Sequence, residues 1–207
     1  MIYVFLGIQG SGKGTQAAML CQKMGFVHVN LGDLFRNHIA HQTEIGIEAA
    51  SYISQGLLVP DEVVFKVIDD TFKKTKKSLI LDGFPRNLHQ AEHLIKHHKI
   101  KKVIYLELSD EIAMKRMLAR RLCVSCGIDF NLLSKKPKKD GACDTCEKQL
   151  IKRADDNEEA IKNRLALFHA ETQPLKEFFS KLGLLVVIDA NASIEEVDKN
   201  ILESLEL

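Results

Sequence analysis

The chain of 207 residues has almost no surplus of charge, with 29 basic against 28 acidic side chains, and no apolar run approaching the ~20 residues that cross a bilayer. The first absence excludes a molecule-wide field that would draw the chain to nucleic acid or to an anionic membrane, so any basic site has to be local. The second argues against a membrane-spanning helix. No internal repeat, low-complexity tract or proline-rich linker is found, and the four prolines are scattered, so nothing divides the chain into two full domains. Hydrophobic residues make up 45% of it, enough for one sizeable core carrying insertions or a small second unit. A cleavable secretion signal is not expected, because the first residues already belong to a motif that cleavage would destroy, and a cytoplasmic location is the natural reading.

That motif is a glycine-rich loop. The apolar run Ile2 to Leu6 is followed by Gly7-Ile8-Gln9-Gly10-Ser11-Gly12-Lys13-Gly14-Thr15 and then by a helical pattern from Gln16 to Met24. A buried strand feeding glycines and then a helix leaves backbone N–H groups pointing into one concavity, where the helix dipole and an ammonium group also favour anionic oxygens. Gly10, Gly12 and Gly14 supply bare backbone and Lys13 the charge; an ordinary turn would not justify the conformational cost of so many glycines. The usual pattern places Ser or Thr directly after the lysine. Here Gly14 stands there and the hydroxyl arrives with Thr15, so the standard magnesium-ligand position is empty, which points to a subclass of phosphate-loop proteins.

Short apolar runs at Ile2 to Leu6, Leu79 to Asp82, Val103 to Leu108 and Leu184 to Asp189, with a weaker one at Phe26 to Val29, suit strands buried on both faces. Helical patterns lie between them at Asp61 to Lys74, His89 to His98, Asp110 to Leu122, Asn157 to Leu182 and Ile194 to Leu205. This alternation predicts an α/β fold with a parallel sheet covered on both faces, and ligands at the carboxyl ends of its strands. Two segments break the rhythm, from about Asn30 to Val59 and from Cys123 to Cys146, and both read as insertions standing over the sheet.

In the second insertion Cys123-Val-Ser-Cys126 is followed, after sixteen residues, by Cys143-Asp-Thr-Cys146. Two such knuckles can each present two sulfurs to one tetrahedral zinc, which would then have no open position and would act as a structural staple. Pairing into disulfides, or free thiols, is the alternative, disfavoured in a reducing compartment. Cys21 falls on the apolar side of the first helix and is expected to pack there.

Arginines gather at insertion edges and strand ends: Arg36, Arg86, Arg116, Arg120, Arg153 and Arg164. Arg116 and Arg120, four apart on the predicted helix, would share a face, while Arg121 points elsewhere. Any one alone is an ordinary surface residue. Together they are what two mutually repelling polyphosphates need for close approach. No convincing general base accompanies them, and a phosphate acceptor needs none, since its second pKa is about 6. Phosphoryl transfer asks the protein mainly for alignment and charge neutralisation.

The motifs Gly7 to Thr15, Leu31-Gly-Asp-Leu-Phe-Arg36, Gly56-Leu-Leu-Val-Pro-Asp61, Asp82-Gly-Phe-Pro-Arg86, Gln90-Ala91, Arg120-Arg121, Arg153-Ala-Asp-Asp156 and Arg164-Leu165 occur in an order in which the chain resembles adenylate kinase. The cysteine quartet makes it similar to the bacterial type with a zinc-bearing lid. The resemblance implies a P-loop core with a five-stranded parallel sheet flanked by helices (1–29, 60–118 and 157–207), a small helical NMP-binding insertion (30–59) and a zinc-stapled lid (119–156). It implies transfer of the terminal phosphoryl group of MgATP to AMP, giving two ADP, by a monomer with no nucleic-acid or membrane partner.

Carried over by position, Gly10, Ser11, Gly12, Lys13, Gly14 and Thr15 would hold the ATP phosphates, with Arg116, Asp129, Phe130 and Ala192 on the rest of ATP. Lys13, Arg86, Arg120, Arg153 and Arg164 would carry the catalysis. Leu31, Arg36, Leu57, Leu58, Val59, Gly83, Phe84, Pro85, Arg86, Gln90, Arg153 and Arg164 would surround AMP, the Gln90 amide reading its base. Cys123, Cys126, Cys143 and Cys146 would bind structural zinc, and Asp82 would hold magnesium through water. Asp155 and Asp156 would brace the lid arginines or cap the next helix. The sequence departs from the family at Gln9, at Asn87, at Leu31, which offers no hydroxyl to the acceptor base, and in the lysine-rich lid segment Leu132 to Asp140. Leu31 keeps another nucleoside monophosphate open as acceptor. The lid lysines and cysteines keep open a zinc-ribbon nucleic-acid binder, although such a lysine run is usually a solvated loop.

Overall fold

A computed structural model describes residues 1–153 and 155–205. Five parallel strands form the main sheet: β1 (Ile2–Gly7), β2 (Val27–Asn30), β3 (Leu79–Asp82), β4 (Ile100–Glu107) and β7 (Leu185–Asp189), in the order β2-β3-β1-β4-β7. The two central apolar runs behave as expected of doubly covered strands, since every residue of β1 and β3 is buried. The period-two alternation of β1 feeds two separate cores. Ile2, Val4 and Leu6 pack on one face with Val63, Val67, Leu94, Ile161 and Phe179, while Tyr3 and Phe5 pack on the other with Ala17, Leu20, Val197 and Ile201.

The helices that cover these faces are α1 (Lys13–Met24), α4 (Asp61–Lys74), α5 (Leu88–His97), α6 (Asp110–Leu118), α7 (Glu158–Leu167), α8 (Leu175–Lys181) and α9 (Ile194–Ser204). Between β2 and α4 the chain forms α2 (Leu31–Ala40) and α3 (Glu44–Ser54), whose Leu31, Phe35 and Ala49 join the main core. Between α6 and α7 it forms the antiparallel hairpin β5 (Arg120–Leu122) and β6 (Asp129–Asn131), with a small core of its own around Cys123, Phe130, Cys143 and Leu150.

Two expectations need correction. The helix expected over Asp110 to Leu122 stops at Leu118, and Arg120 lies on β5, so Arg116 and Arg120 do not share a helix face. The pairing of Arg120–Leu122 with Asp129–Asn131 outweighs the local helical pattern. The single helix expected over Asn157 to Leu182 is broken. A wide turn at Phe168–Thr172 separates α7 from α8, with the Gln173 N–H donating to the Phe168 carbonyl at 2.7 Å just before Pro174, which has no N–H to continue the ladder.

Candidate active site

The glycine-rich loop links β1 to α1 as anticipated, with helix beginning already at Lys13. Gly12, at φ 95°, precedes the helix without any side-chain cap, and no acidic residue occupies the first turn. The other helices are capped by Asn30, Thr43, Asn87, Asn157 or Ser193, or carry Asp or Glu in the first turn. Among the described residues α1 alone leaves its N–H groups and positive dipole end without either. A cleft of about 520 Å3 lies over it at the carboxyl ends of β1, β2 and β3. Gly10 (φ 87°) passes so close to α6 that a Cβ there would sit 2.8 Å from the Ala113 carbonyl oxygen. The buried Ser11 hydroxyl has no protein partner. Lys13 Nζ donates to the Gly7 and Ile8 carbonyls at 2.7 and 2.9 Å. Burial pulls its pKa down to about 8; Asp82 opposes the shift and the charges of Arg86 and Arg120 add to it.

Arg36, Arg86, Arg116, Arg120, Arg153 and Arg164 all line this cleft with Lys13. Four of the guanidinium groups rest on carboxylates. Arg120 makes a two-pronged contact with Asp156, Nε to Oδ2 at 2.8 Å and Nη2 to Oδ1 at 2.5 Å. Arg164 reaches the same Asp156 at 3.3 Å and also binds Asp155. Arg153 Nη2 donates to both oxygens of Asp129, at 2.8 and 2.6 Å, and Arg36 pairs with Asp33. Among the described residues the Arg86 guanidinium donates only to the Gly83 carbonyl, from Nε at 2.9 Å. Burial lowers the Arg86 pKa to about 10, helped by the charge of Arg164 and opposed by Asp82. For Arg120 burial also works against the charge, but Asp156 outweighs it and the pKa rises. The arginines are thus held in place as forks, and the like charge gathered in one cleft is suited to polyanionic ligands.

Asp82 ends β3, 4% exposed, and accepts a hydrogen bond from Asn30 Nδ2 at 2.7 Å, with His28 Nε2 at 3.4 Å. Burial would raise its pKa, yet the His28 ring and the charges of Lys13 and Arg86 hold the carboxyl below the usual range. It is therefore an anion facing the cleft, of the kind that suits a hydrated magnesium ion.

Leu31, Arg36, Leu57, Leu58, Val59, Gly83, Pro85, Arg86 and Gln90 line the cleft. Phe84 does not line it: its ring is 1% exposed and belongs to the main core. Arg116, Asp129, Phe130 and Ala192 also reach the cleft wall, as do all of Gly10 to Thr15. Phe130 is mostly turned inward on Cys123, Cys143 and Leu150, with Lys135 Nζ 5.6 Å from its ring centroid. Asn157, not Asp155 or Asp156, caps α7 by accepting the Ala160 N–H at 2.9 Å. That leaves the two aspartates to the arginines.

A family model described as adenylate kinase matches residues 5–184. The adenylate kinase of Caldicellulosiruptor saccharolyticus is 42% identical over 212 residues, covering 99% of each chain. That of Borrelia garinii subsp. bavariensis is 42% identical over 202 residues, covering 97% of this chain and 96% of its own, and that of Clostridioides difficile is 39% identical over 212 residues, covering 99% and 98%. The chain belongs to the adenylate kinase family.

Cys123, Cys126, Cys143 and Cys146 of this adenylate kinase family member come together around β5 and β6. Its four sulfurs all lie within 4.8 Å of one another, with Cys123–Cys146 at 3.3 Å, Cys126–Cys143 at 3.4 Å and Cys126–Cys146 at 3.8 Å. A tetrahedral four-thiolate site with bonds of ~2.3 Å has sulfurs about 3.8 Å apart. The donor set fits such an ion. Burial would raise the Cys123 pKa, but the Cys126 backbone N–H and the neighbouring thiols bring it down to about 6. Cys21 is half-buried against the core that holds Tyr3, Phe5 and Leu20, and burial pushes its thiol up to about 11.

Several partners in this adenylate kinase cleft have little or no signal in sequence. Asn30 on Asp82 and Thr172, whose hydroxyl donates to the Arg86 carbonyl at 2.7 Å, are set by long-range packing. Asp33, three residues before Arg36 on α2, was within reach of a spacing argument.

Proposed function

We propose that this chain catalyses MgATP + AMP ⇌ 2 ADP with the residues of the single cleft described above. An oxygen of the AMP phosphate attacks the terminal phosphorus of ATP, a new P–O bond forms, and the bond from that phosphorus to the bridging oxygen of the β-phosphate breaks, so that ADP leaves on one side and ADP is formed on the other. The attacking oxygen is ionised at neutral pH and no general base is required. The observation that carries the reading is the convergence of the uncapped α1 terminus, Lys13 and the arginines on one cleft.

In this reading the loop from Gly10 to Thr15 holds the ATP phosphates and Lys13 neutralises the transferring group. Arg120, Arg153 and Arg164 align it, and Arg36 and Arg86 hold the AMP phosphate. Magnesium bound with ATP supplies charge neutralisation on the phosphates, and Asp82 is the residue that would hold it through water. Zinc is the metal assigned to Cys123, Cys126, Cys143 and Cys146, in a structural role. Residues 119–156 act as a lid and 30–59 as the AMP-binding insertion over a core of 1–29, 60–118 and 157–207, and closure excludes water so that ATP is not hydrolysed. The working form is a cytoplasmic monomer.

The test is a coupled assay. ADP alone should yield ATP and AMP, and among AMP, CMP, UMP and GMP as acceptors AMP should have the highest kcat/KM. Equal or better use of a pyrimidine nucleotide, which Leu31 leaves open, would overturn the choice of acceptor while keeping the chemistry.

A further inference from the structure

Gln90 is 1% exposed yet reaches the acceptor side of the cleft, and the two ends of its side-chain amide are almost identical in shape. What decides which end points where is the chemistry of the neighbours. Gln90 Oε1 accepts the Arg86 backbone N–H at 2.8 Å, a group that can only donate. Gln90 Nε2 donates to Asp61 Oδ1 at 2.7 Å, a group that only accepts when ionised. Turning the amide over would set donor against donor and acceptor against acceptor.

Asp61 is itself held. It is the first residue of α4, and it receives Asn87 Nδ2 at 3.1 Å and His89 Nδ1 at 2.7 Å in addition to Gln90, so three side chains from one short stretch converge on one carboxylate. Burial would raise its pKa, but the hydrogen bonds from Gln90, His89 and Asn87 keep it below the usual carboxylate range. The residue following Arg86 is part of the same device. Asn87 caps α5 by accepting the Gln90 N–H at 2.8 Å while its amide nitrogen faces Asp61.

We propose that Asp61 is a specificity-determining positioning residue, which locks the Gln90 amide in one orientation and so selects acceptor bases with a 6-amino group over those with a 6-oxo group. This rests on the reading of Gln90 as the contact to the acceptor base. An amide has two N–H donors and two oxygen lone pairs, and Arg86 and Asp61 use one of each. The remaining donor and acceptor match adenine, which offers N1 as acceptor beside the N6 amino donor. Inosine monophosphate has the same size and shape but presents N1–H beside O6, the reverse order. A locked amide cannot serve both; a free one turns over and serves either.

The experiment compares kcat/KM for AMP and for inosine monophosphate in the intact enzyme and in Asp61→Ala, Asp61→Ser, Asp61→Asn and Gln90→Ala. Serine suits the first turn of a helix but is too short to reach Gln90, so it provides the same comparison if the alanine variant does not fold. The expected result is that Asp61→Ala or Asp61→Ser narrows the AMP preference about tenfold, mainly through the KM of AMP, with the KM of ATP unchanged. Asp61→Asn, which keeps an oxygen for Gln90, should restore most of the preference. A purely structural role would lower both acceptors alike. A preference within twofold of the intact enzyme in the folded Ala or Ser variant, while Gln90→Ala narrows it, overturns the role of Asp61 alone; if Gln90→Ala also leaves it unchanged, the reading of Gln90 falls as well.

Discussion

Among the described residues Lys13 is an ammonium group with no carboxylate paired to it, and its hydrogen bonds end on the carbonyls of Gly7 and Ile8. Its pKa of about 8 in the nucleotide-free fold lies below the 10.5 of an exposed lysine, so between those values the unfolded chain binds one proton more than the folded one. Stability of the nucleotide-free enzyme should therefore gain from this group as pH rises from about 8 to about 10.5, a contribution missing in Lys13→Met. A triphosphate beside the lysine restores the charged form, so at about pH 9 binding of ATP should take up a proton. Calorimetry in two buffers of different ionisation enthalpy reads that uptake; equal heats for the intact enzyme and Lys13→Met would remove the lysine from the phosphate site. Asp156 poses the opposite problem. It is 0% exposed and serves Arg120 and Arg164 together. Asp156→Asn keeps the shape and removes the charge, leaving the half-buried Arg120 without its anion and Arg164 with Asp155 alone, at a cost of about 3 kcal/mol. Urea unfolding measures it, and a loss below about 1 kcal/mol would mean that the arginines find other anions.

Thr43 illustrates the next scale, because α3 depends on it for its start: its hydroxyl accepts the Gly46 N–H at 3.1 Å. Thr43→Ala should cost about 1 kcal/mol in chemical denaturation, and an unchanged midpoint would show that α3 is held by its packing on α2 instead. The elements that sequence revealed best are those whose environment is uniform along their length. β1 and β3 are apolar throughout because both faces are covered, and α4 runs over Asp61–Lys74 as its periodicity indicates. The misread elements are those decided by something distant. Arg120–Leu122 becomes a strand through a partner beyond a cysteine knuckle, and α7 ends early because of backbone bonding ahead of Pro174. The site divides in the same way. The loop and its arginines stand out as residue types in a spacing, whereas the carboxylate that holds Arg120 lies 36 residues off at Asp156 and leaves no local pattern, unlike Asp33 beside Arg36. Phe84 is a related case, since its neighbours Gly83 and Pro85 line the cleft while its ring turns into the core.

For the molecule as a whole, the decisive contrast is between its cores. The two clusters on the faces of the main sheet are large and include residues from most of the helices, while the cluster beneath β5 and β6 has four buried members, of which Cys123 and Cys143 are candidate metal ligands. Apolar burial by Phe130 and Leu150 alone is far too little to offset the conformational entropy of ordering the segment between Arg120 and Ile151. The metal is therefore expected to supply most of the folding free energy of this segment and little of that of the sheet. Since Arg120 lies on β5 and Arg153 just beyond the segment, pairing with Asp129 on β6, losing the metal should misplace two arginines of the cleft without touching Lys13. Treatment with a strong chelator, or Cys143→Ser, should then leave the helical circular dichroism nearly intact, remove an early step from the thermal transition, and lower kcat by about tenfold to a hundredfold, an effect typical of losing alignment of catalytic groups. Re-addition of zinc should recover the chelated enzyme but not the serine variant. A metal-free protein with full turnover would mean that the hairpin holds its arginines by protein contacts alone.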